Sequence, residues 1–122
     1  YRDDIILTGY LPEEELAALT AAAYTLVYPS FYEGFGLPVA EAMQSGVAVI
    51  TSANSAMQEI AGDAALYADP DDINAIAEQM KRIYKDEVLR NELIRRGLER
   101  ARNYNWNLAA VQCWKAIEET IA

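Results

Sequence analysis

Apolar and polar positions along the chain fall into two regimes. Up to residue 68, short apolar runs alternate with helical patterns; beyond it, only helical spacings recur. Ile5-Ile6-Leu7-Thr8 reads as a compact strand ended by Gly9. Pro12 followed by Glu13, Glu14 and Glu15 opens a helix, because proline suits a first turn and acids complement its positive end. Leu16, Leu19, Ala22 and Ala23 are its expected buried face. Thr25-Leu26-Val27-Tyr28 is the next strand, halted by Pro29, and Val47-Ala48-Val49-Ile50-Thr51 is a third. Between these two, Pro38 to about Gln44 predicts a short helix stopped by Gly46. Residues 55–61 predict another short helix, and Ala65-Leu66-Tyr67 a small edge strand. Fully apolar strands separated by helices mean a parallel sheet covered on both faces and joined by right-handed crossovers.

From residue 69 the pattern is all helix. Asp69-Pro70-Asp71-Asp72 places a capping acid and a first-turn proline ahead of Ile73, Ile76, Ala77, Met80 and Ile83, which recur at spacings of three and four. A second helix covers roughly 87–103, with Leu89, Leu93, Ile94, Leu98 and Ala101 on one side. A third begins near Asn105-Trp106 and carries Leu108, Val111, Trp114, Ile117 and Ile121. The fold class is therefore α/β, a Rossmann-like doubly wound half-domain, with an α/β core at 1–70 and a helical tail at 71–122. No internal repeat or flexible linker interrupts it.

Composition narrows the function. A chain of 122 residues with 52% hydrophobic and 24% charged residues is one globular domain or a piece of one. A net charge of -9 argues against nucleic acid or an anionic membrane as partner. Cys113 is the single cysteine; beside Val111 and Trp114 it reads as a small buried or half-buried filler, and the count fits a reducing compartment. With no histidine, the commonest general base is absent and a zinc site is disfavoured. No apolar stretch is long enough to span a bilayer or act as a secretory signal. The start on a charged, strand-like segment without Met reads as an excised piece of something longer. Residues 3–80 contain no Lys or Arg, so a phosphate bound there must be held by backbone dipoles or by cations from elsewhere.

The densest chemistry lies at residues 30–46. Glu33 and Glu41 flank a turn bearing Gly34 and Gly36, and Pro38 sits where a helix begins. Ligands of open parallel sheets sit beyond the carboxyl ends of the strands, where this segment falls. Glycines let the backbone come close to a bound group, and a helix start offers unpaired N–H groups to an anion or a sugar hydroxyl. Glu41 is placed to accept from a vicinal diol such as a ribose, and Glu33 to accept from a sugar hydroxyl or stabilise positive charge. The plainer alternative is a chain reversal, with Glu41 a surface acid complementing the helix dipole by about 0.3–1 kcal/mol. Phe31, Tyr32 and Phe35 flank the loop as candidate cleft residues, while Tyr28, Tyr67 and Tyr84 fit core or boundary positions. The helical arginines Arg90, Arg95, Arg96, Arg100 and Arg102 are interleaved with acids and read as a solvated face.

The run from Pro29 to Met43 resembles the nucleotide-sugar-binding motif of the retaining, GT-B-fold glycosyltransferases of group 1. Gly9-Tyr10-Leu11-Pro12, Gly46–Ile50, Glu59–Ala65 leading to Asp69-Pro70, and Trp106 resemble the family's neighbouring segments in order. The resemblance covers the C-terminal, donor-binding domain without its first strands. It implies that Glu41 holds the ribose hydroxyls of a nucleoside diphosphate sugar and that Glu33 contacts the transferred sugar near the reacting centre. It implies also that the backbone of Gly34, Phe35, Gly36 and Leu37 faces sugar and diphosphate, and that Tyr10 and Leu11 lie against the base. No cofactor or metal is implied; the nucleotide sugar is a substrate.

The family's phosphate-neutralising Arg and Lys fall upstream of residue 1, as does an acceptor-binding domain with a histidine near the reaction centre. Without two such cation contacts, at about 1.5–3 kcal/mol each, the 122 residues alone are expected to bind donor feebly and to transfer nothing. The parent enzyme is expected to use a saccharide or lipid-linked acceptor and an oxocarbenium-like transition state with a stabilised diphosphate leaving group. Its expected place is the cytoplasm, at a membrane surface only through the upstream domain. The apolar stripe of the last helix is expected to cover that domain or, without it, to make the piece self-associate. A GT-B-fold nucleotide-sugar epimerase and a non-catalytic interaction module of the same fold are the alternatives.

Overall fold

The computed structural model describes residues 2–121. In chain order the elements are α1 (Glu13–Ala22), β1 (Thr25–Tyr28), α2 (Leu37–Gln44), β2 (Ala48–Thr51), α3 (Ala56–Ala61), β3 (Ala65–Tyr67), α4 (Ile73–Lys85), α5 (Glu87–Ala101) and α6 (Trp106–Ile121). Strands β1, β2 and β3 form a parallel sheet in that order, with Val27 opposite Ile50 and Ile50 opposite Leu66. Each strand returns through a helix, as parallel pairing requires.

Alternation along the strands sends side chains to two cores. Leu26, Tyr28, Val49, Ala65 and Tyr67 face α2, α3 and the end of α5, where Val39, Met43, Met57 and Ala101 are buried. Val27, Ala48, Ile50 and Leu66 face Ile83 of α4 and Leu93 of α5. β2 is buried throughout, as is Val47 before it, which is why the run Val47–Thr51 shows no period of two. The α/β class and the two-sided cover expected from the pattern are present. α5 lies tight on α2, where a Cβ on Gly97 would stand 3.2 Å from Met43 Cγ.

Several local expectations fail for identifiable reasons. Residues 5–8 form no strand; Ile5, Ile6 and Leu7 are exposed, because no neighbouring strand completes their hydrogen bonds. α1 has no buried residue, and Leu16 and Leu19 are half-exposed, since the helix faces α2 across a cleft. Pro12 precedes α1 as its cap rather than sitting in its first turn. Tyr84 is exposed and stacks at a tilt on Tyr24 instead of filling core. Cys113 is exposed as well, because every residue of α6 is. The α6 stripe, with Val111 and Trp114 more than half-exposed, packs on no other element closely enough to bury a side chain.

The cap of α4 is also displaced. Asp72, not Asp69, accepts the amides of Asn74 (2.9 Å) and Ala75 (3.0 Å), while Pro70 stays in the preceding turn. Asp69 Oδ1 instead accepts from the Asp71 amide at 3.0 Å. Asp72→Ala is therefore expected to lower stability by about 1 kcal/mol, a drop of about 4 °C in Tm. Asp69→Ala is expected to change Tm less; scanning calorimetry on the two variants reads the difference.

Candidate functional site

The loop from Pro29 to Gly36 leaves β1 at the carboxyl edge of the sheet, and α2 starts on Gly36. Gly36 has φ 94° and ψ 46°, a left-handed conformation that a side chain disfavours. A Cβ there would also lie 3.0 Å from Sδ and Cε of the buried Met57. Gly34 differs: a Cβ would meet nothing within 4 Å.

No side chain caps α2. The amides of Val39 and Ala40 turn back onto the Gly36 carbonyl at 3.0 and 3.3 Å, and Pro38 has no N–H. Among the described residues, the amides of Gly34, Phe35, Gly36 and Leu37 donate to no other residue. A run of open donors at a helix start is what an anion or a sugar hydroxyl can use.

Glu33 is half-buried and held from three sides. Its Oε1 accepts from the Tyr28 hydroxyl at 2.6 Å and from Ser30 Oγ at 3.0 Å. Its amide donates to Ser55 Oγ at 3.0 Å. Ser55 has φ 51°, the only positive φ among described residues other than glycine, and it precedes α3. The carboxylate accepting from Tyr28 pushes that phenol's pKa up, with burial adding a smaller share. The loop is further tied to β2, whose neighbouring Ser52 donates to the Ser30 carbonyl and whose Thr51 donates to the Tyr28 carbonyl at 2.9 Å. Phe35 packs edge-on against Tyr104, with centroids 5.9 Å apart; Phe31 and Tyr32 are exposed.

Glu41 is exposed on α2, and its carboxylate has no hydrogen-bond partner among the described residues. It lines a cleft of about 240 Å³ with Leu16, Thr20, Gln44 and Ser45. Glu33 does not line that cleft, so the two acids stand in separate surroundings with the open amides between them in the chain. Tyr10 is 96% exposed and Leu11 half-buried; neither lines the cleft.

Sequence reasoning missed several of these residues. Leu16 reads as core by its spacing, yet it faces the cleft. Tyr28 was expected as core or boundary, yet its hydroxyl serves Glu33. Only the i, i+3 spacing of Ser30 and Glu33 was a usable local signal. Ser55 comes from beyond β2, and nothing in the sequence joins it to Glu33.

A larger hollow of about 430 Å³ is lined by Asp63, Arg95, Arg96, Glu99, Arg100 and Asn103, none of them from the glycine loop. Its cations are engaged within the protein. Arg95 and Arg96 bracket Glu92, holding its carboxyl at about 2. Arg100 donates to the carbonyls of Ile60 (2.6 Å) and Glu59 at the end of α3. Arg90 lies 4.1 Å from the centroid of the Tyr24 ring. Three of the arginines expected to be a solvated face, Arg90, Arg96 and Arg100, thus join elements distant in sequence, because helix α5 runs alongside their acceptors.

Residues 1–100 match the family model described as "Glycosyl transferases group 1". The chain is 46% identical over 104 residues to "O-antigen chain mannosyltransferase B" of Escherichia coli, covering 85% of this chain and 27% of the relative. It is 35% identical over 124 residues to "MMP alpha-(1->4)-mannosyltransferase" of Mycolicibacterium hassiacum, covering 98% and 30%. Among solved structures it matches the sucrose-phosphate synthase of Thermosynechococcus elongatus with a TM-score of 0.89 and 34% identity, over 98% of this chain and 31% of that one. The chain therefore spans less than a third of the length of each of these relatives. Among the described residues no helix is long and apolar enough to cross a membrane.

Proposed function

The chain belongs to the group 1 glycosyl transferases, and from that premise we propose that it holds the nucleotide-sugar donor for retaining transfer of a mannosyl unit to a saccharide or lipid-linked acceptor. The observation that carries this reading is the set of open amides from Gly34 to Leu37 at the start of α2, next in the chain to two acids with free acceptor capacity. In this reading Glu41 accepts from the ribose diol. The amides of Gly34, Phe35, Gly36 and Leu37 meet the diphosphate and the sugar, and Tyr10 and Leu11 flank the base. Glu33 faces the anomeric carbon, where its negative charge favours an oxocarbenium-like transition state. The amides and the α2 dipole support the charge that develops on the departing diphosphate.

Residues 3–80 carry no cation, so the remaining phosphate charge is met by Arg or Lys from another part of the same protein. The acceptor-binding domain belongs there too, and the enzyme works in the cytoplasm. Residues 1–70 carry the donor contacts, with 71–122 as support. Mannose is preferred among sugars because relatives at 46%, 39% and 35% identity bear mannosyltransferase names.

Titration calorimetry of the full-length protein tests the reading, with GDP-mannose and UDP-glucose as probes. GDP-mannose is expected to bind about 5- to 30-fold more tightly, since exchanging base and sugar loses one or two hydrogen bonds of about 1 kcal/mol each. Equal affinities would remove the mannosyl assignment, and no binding of either would remove the donor site.

A further inference from the structure

Glu33 sits in a loop without regular structure, where a glutamate would ordinarily sample several rotamers. Here it does not. Tyr28 and Ser30 both donate to one carboxylate oxygen, Oε1, at 2.6 and 3.0 Å, and neither donates to Oε2. The backbone of the same residue is fixed by its amide on Ser55 Oγ at 3.0 Å. We propose that Tyr28 is a positioning residue for Glu33, tying Oε1 so that Oε2 alone is turned to the donor sugar. The proposal rests on the donor-site reading above, because it takes Glu33 to face the sugar.

The geometry has three consequences. Tyr28 ends β1, a strand fixed by its ladder to β2, so the phenol reports the position of the sheet to the loop. Ser30 follows Pro29 and its carbonyl is pinned to Ser52, but its one hydroxyl proton is shared between Glu33 Oε1 at 3.0 Å and the Tyr32 carbonyl at 3.3 Å, which leaves Tyr28 the more committed donor. Two donors on one oxygen also leave that oxygen little capacity for a ligand, which makes the acceptor single and directional. Because the carboxylate raises the Tyr28 pKa, the phenol keeps its proton, and remains a donor, through the neutral range. Tyrosine at a strand end is needed for reach; serine at residue 28 would be too short to bridge five residues along the chain.

The test is a double-mutant cycle in the full-length enzyme, with GDP-mannose as donor and GDP affinity measured separately. Tyr28→Phe removes only the hydroxyl and is expected to lower kcat by about 10- to 100-fold, as misplacement of a reacting group does, with GDP affinity changed less than ~2-fold. Glu33→Gln is expected to lower kcat further. Adding Tyr28→Phe to Glu33→Gln is then expected to cost little more, because the hydroxyl acts only through Glu33. Ser30→Ala gives a milder loss of the same kind and stands in if Tyr28→Phe fails to fold.

Independently of turnover, 13C-tyrosine NMR is expected to show the Tyr28 phenol with a raised pKa that Glu33→Gln moves down, while the raised pKa of Tyr67, which burial causes, stays where it is. Glu33→Gln inactive with Tyr28→Phe neutral would overturn the positioning role while sparing the donor-site reading. An equal cost of Tyr28→Phe with and without Glu33 would do the same. Glu33→Gln with unchanged kcat would overturn both.

Discussion

Replacing Glu41 by alanine in the full-length protein is expected to weaken GDP binding by about 100-fold and leave the fold intact. The stability half follows from the surroundings of the residue. Its side chain is exposed, and its carboxylate bonds to nothing among the described residues, so truncation breaks no internal contact. Alanine is also the better helix former in α2, which keeps the expected stability change within about 0.5 kcal/mol. The binding half follows from a charged acceptor meeting a diol. Two hydrogen bonds to a carboxylate contribute about 1.5–3 kcal/mol each when sheltered, and exposure puts them at the lower end. Their sum, about 3 kcal/mol, corresponds to about 100-fold in Kd.

Calorimetry with GDP and with 2′-deoxy-GDP separates this from a general loss of charge. Wild type is expected to prefer GDP, and the variant to bind the two alike. Should the variant bind GDP within twofold of wild type, Glu41 is a helix-surface acid and nothing more. A preference for GDP that persists in the variant would place the ribose elsewhere.

How far these residues were legible in the sequence depended on whether their partners were local. Helices α1 to α6 and strands β1 to β3 were readable from local signals, the helices from their spacings, acids and prolines and the strands from short apolar runs between turn residues. The parallel, two-sided sheet followed from the unbroken apolar run at Val47–Thr51. The strand at Ile5–Thr8 was misread because an apolar run specifies burial only if a neighbour exists to bury it. The same holds for Leu16 and Leu19, whose spacing is that of a core face although Leu16 faces the cleft and Leu19 is exposed.

At the site, the acids and glycines were visible, and so was the helix start. What holds Glu33 was not. Tyr28, Ser30 and Ser55 converge only after β1 and β2 pair, and a serine at positive φ has no sequence signature. The two glycines also looked equivalent on the page of the sequence, and the fold separates them.

That difference gives the largest expected stability effect. Gly36→Ala forces a Cβ into a left-handed backbone at φ 94°, which costs about 1–2 kcal/mol. The same Cβ would stand 3.0 Å from the thioether of Met57, which is fully buried and cannot swing into solvent. Displacing packed core atoms adds about 1–3 kcal/mol, for a total of about 2–5 kcal/mol. In a domain of this size that is a fall of about 8–20 °C in Tm. Gly34→Ala meets nothing and has no positive φ, so its expected change is within about 1 kcal/mol. Met57→Ala costs stability by opening a cavity, yet it should relieve Gly36→Ala: the double variant is expected to be more stable than the two single losses add up to. Thermal unfolding of the four proteins decides the matter. If Gly34→Ala and Gly36→Ala lowered Tm alike, the left-handed start of α2 and its seat on Met57 would be wrong, and with them the alignment of the open amides.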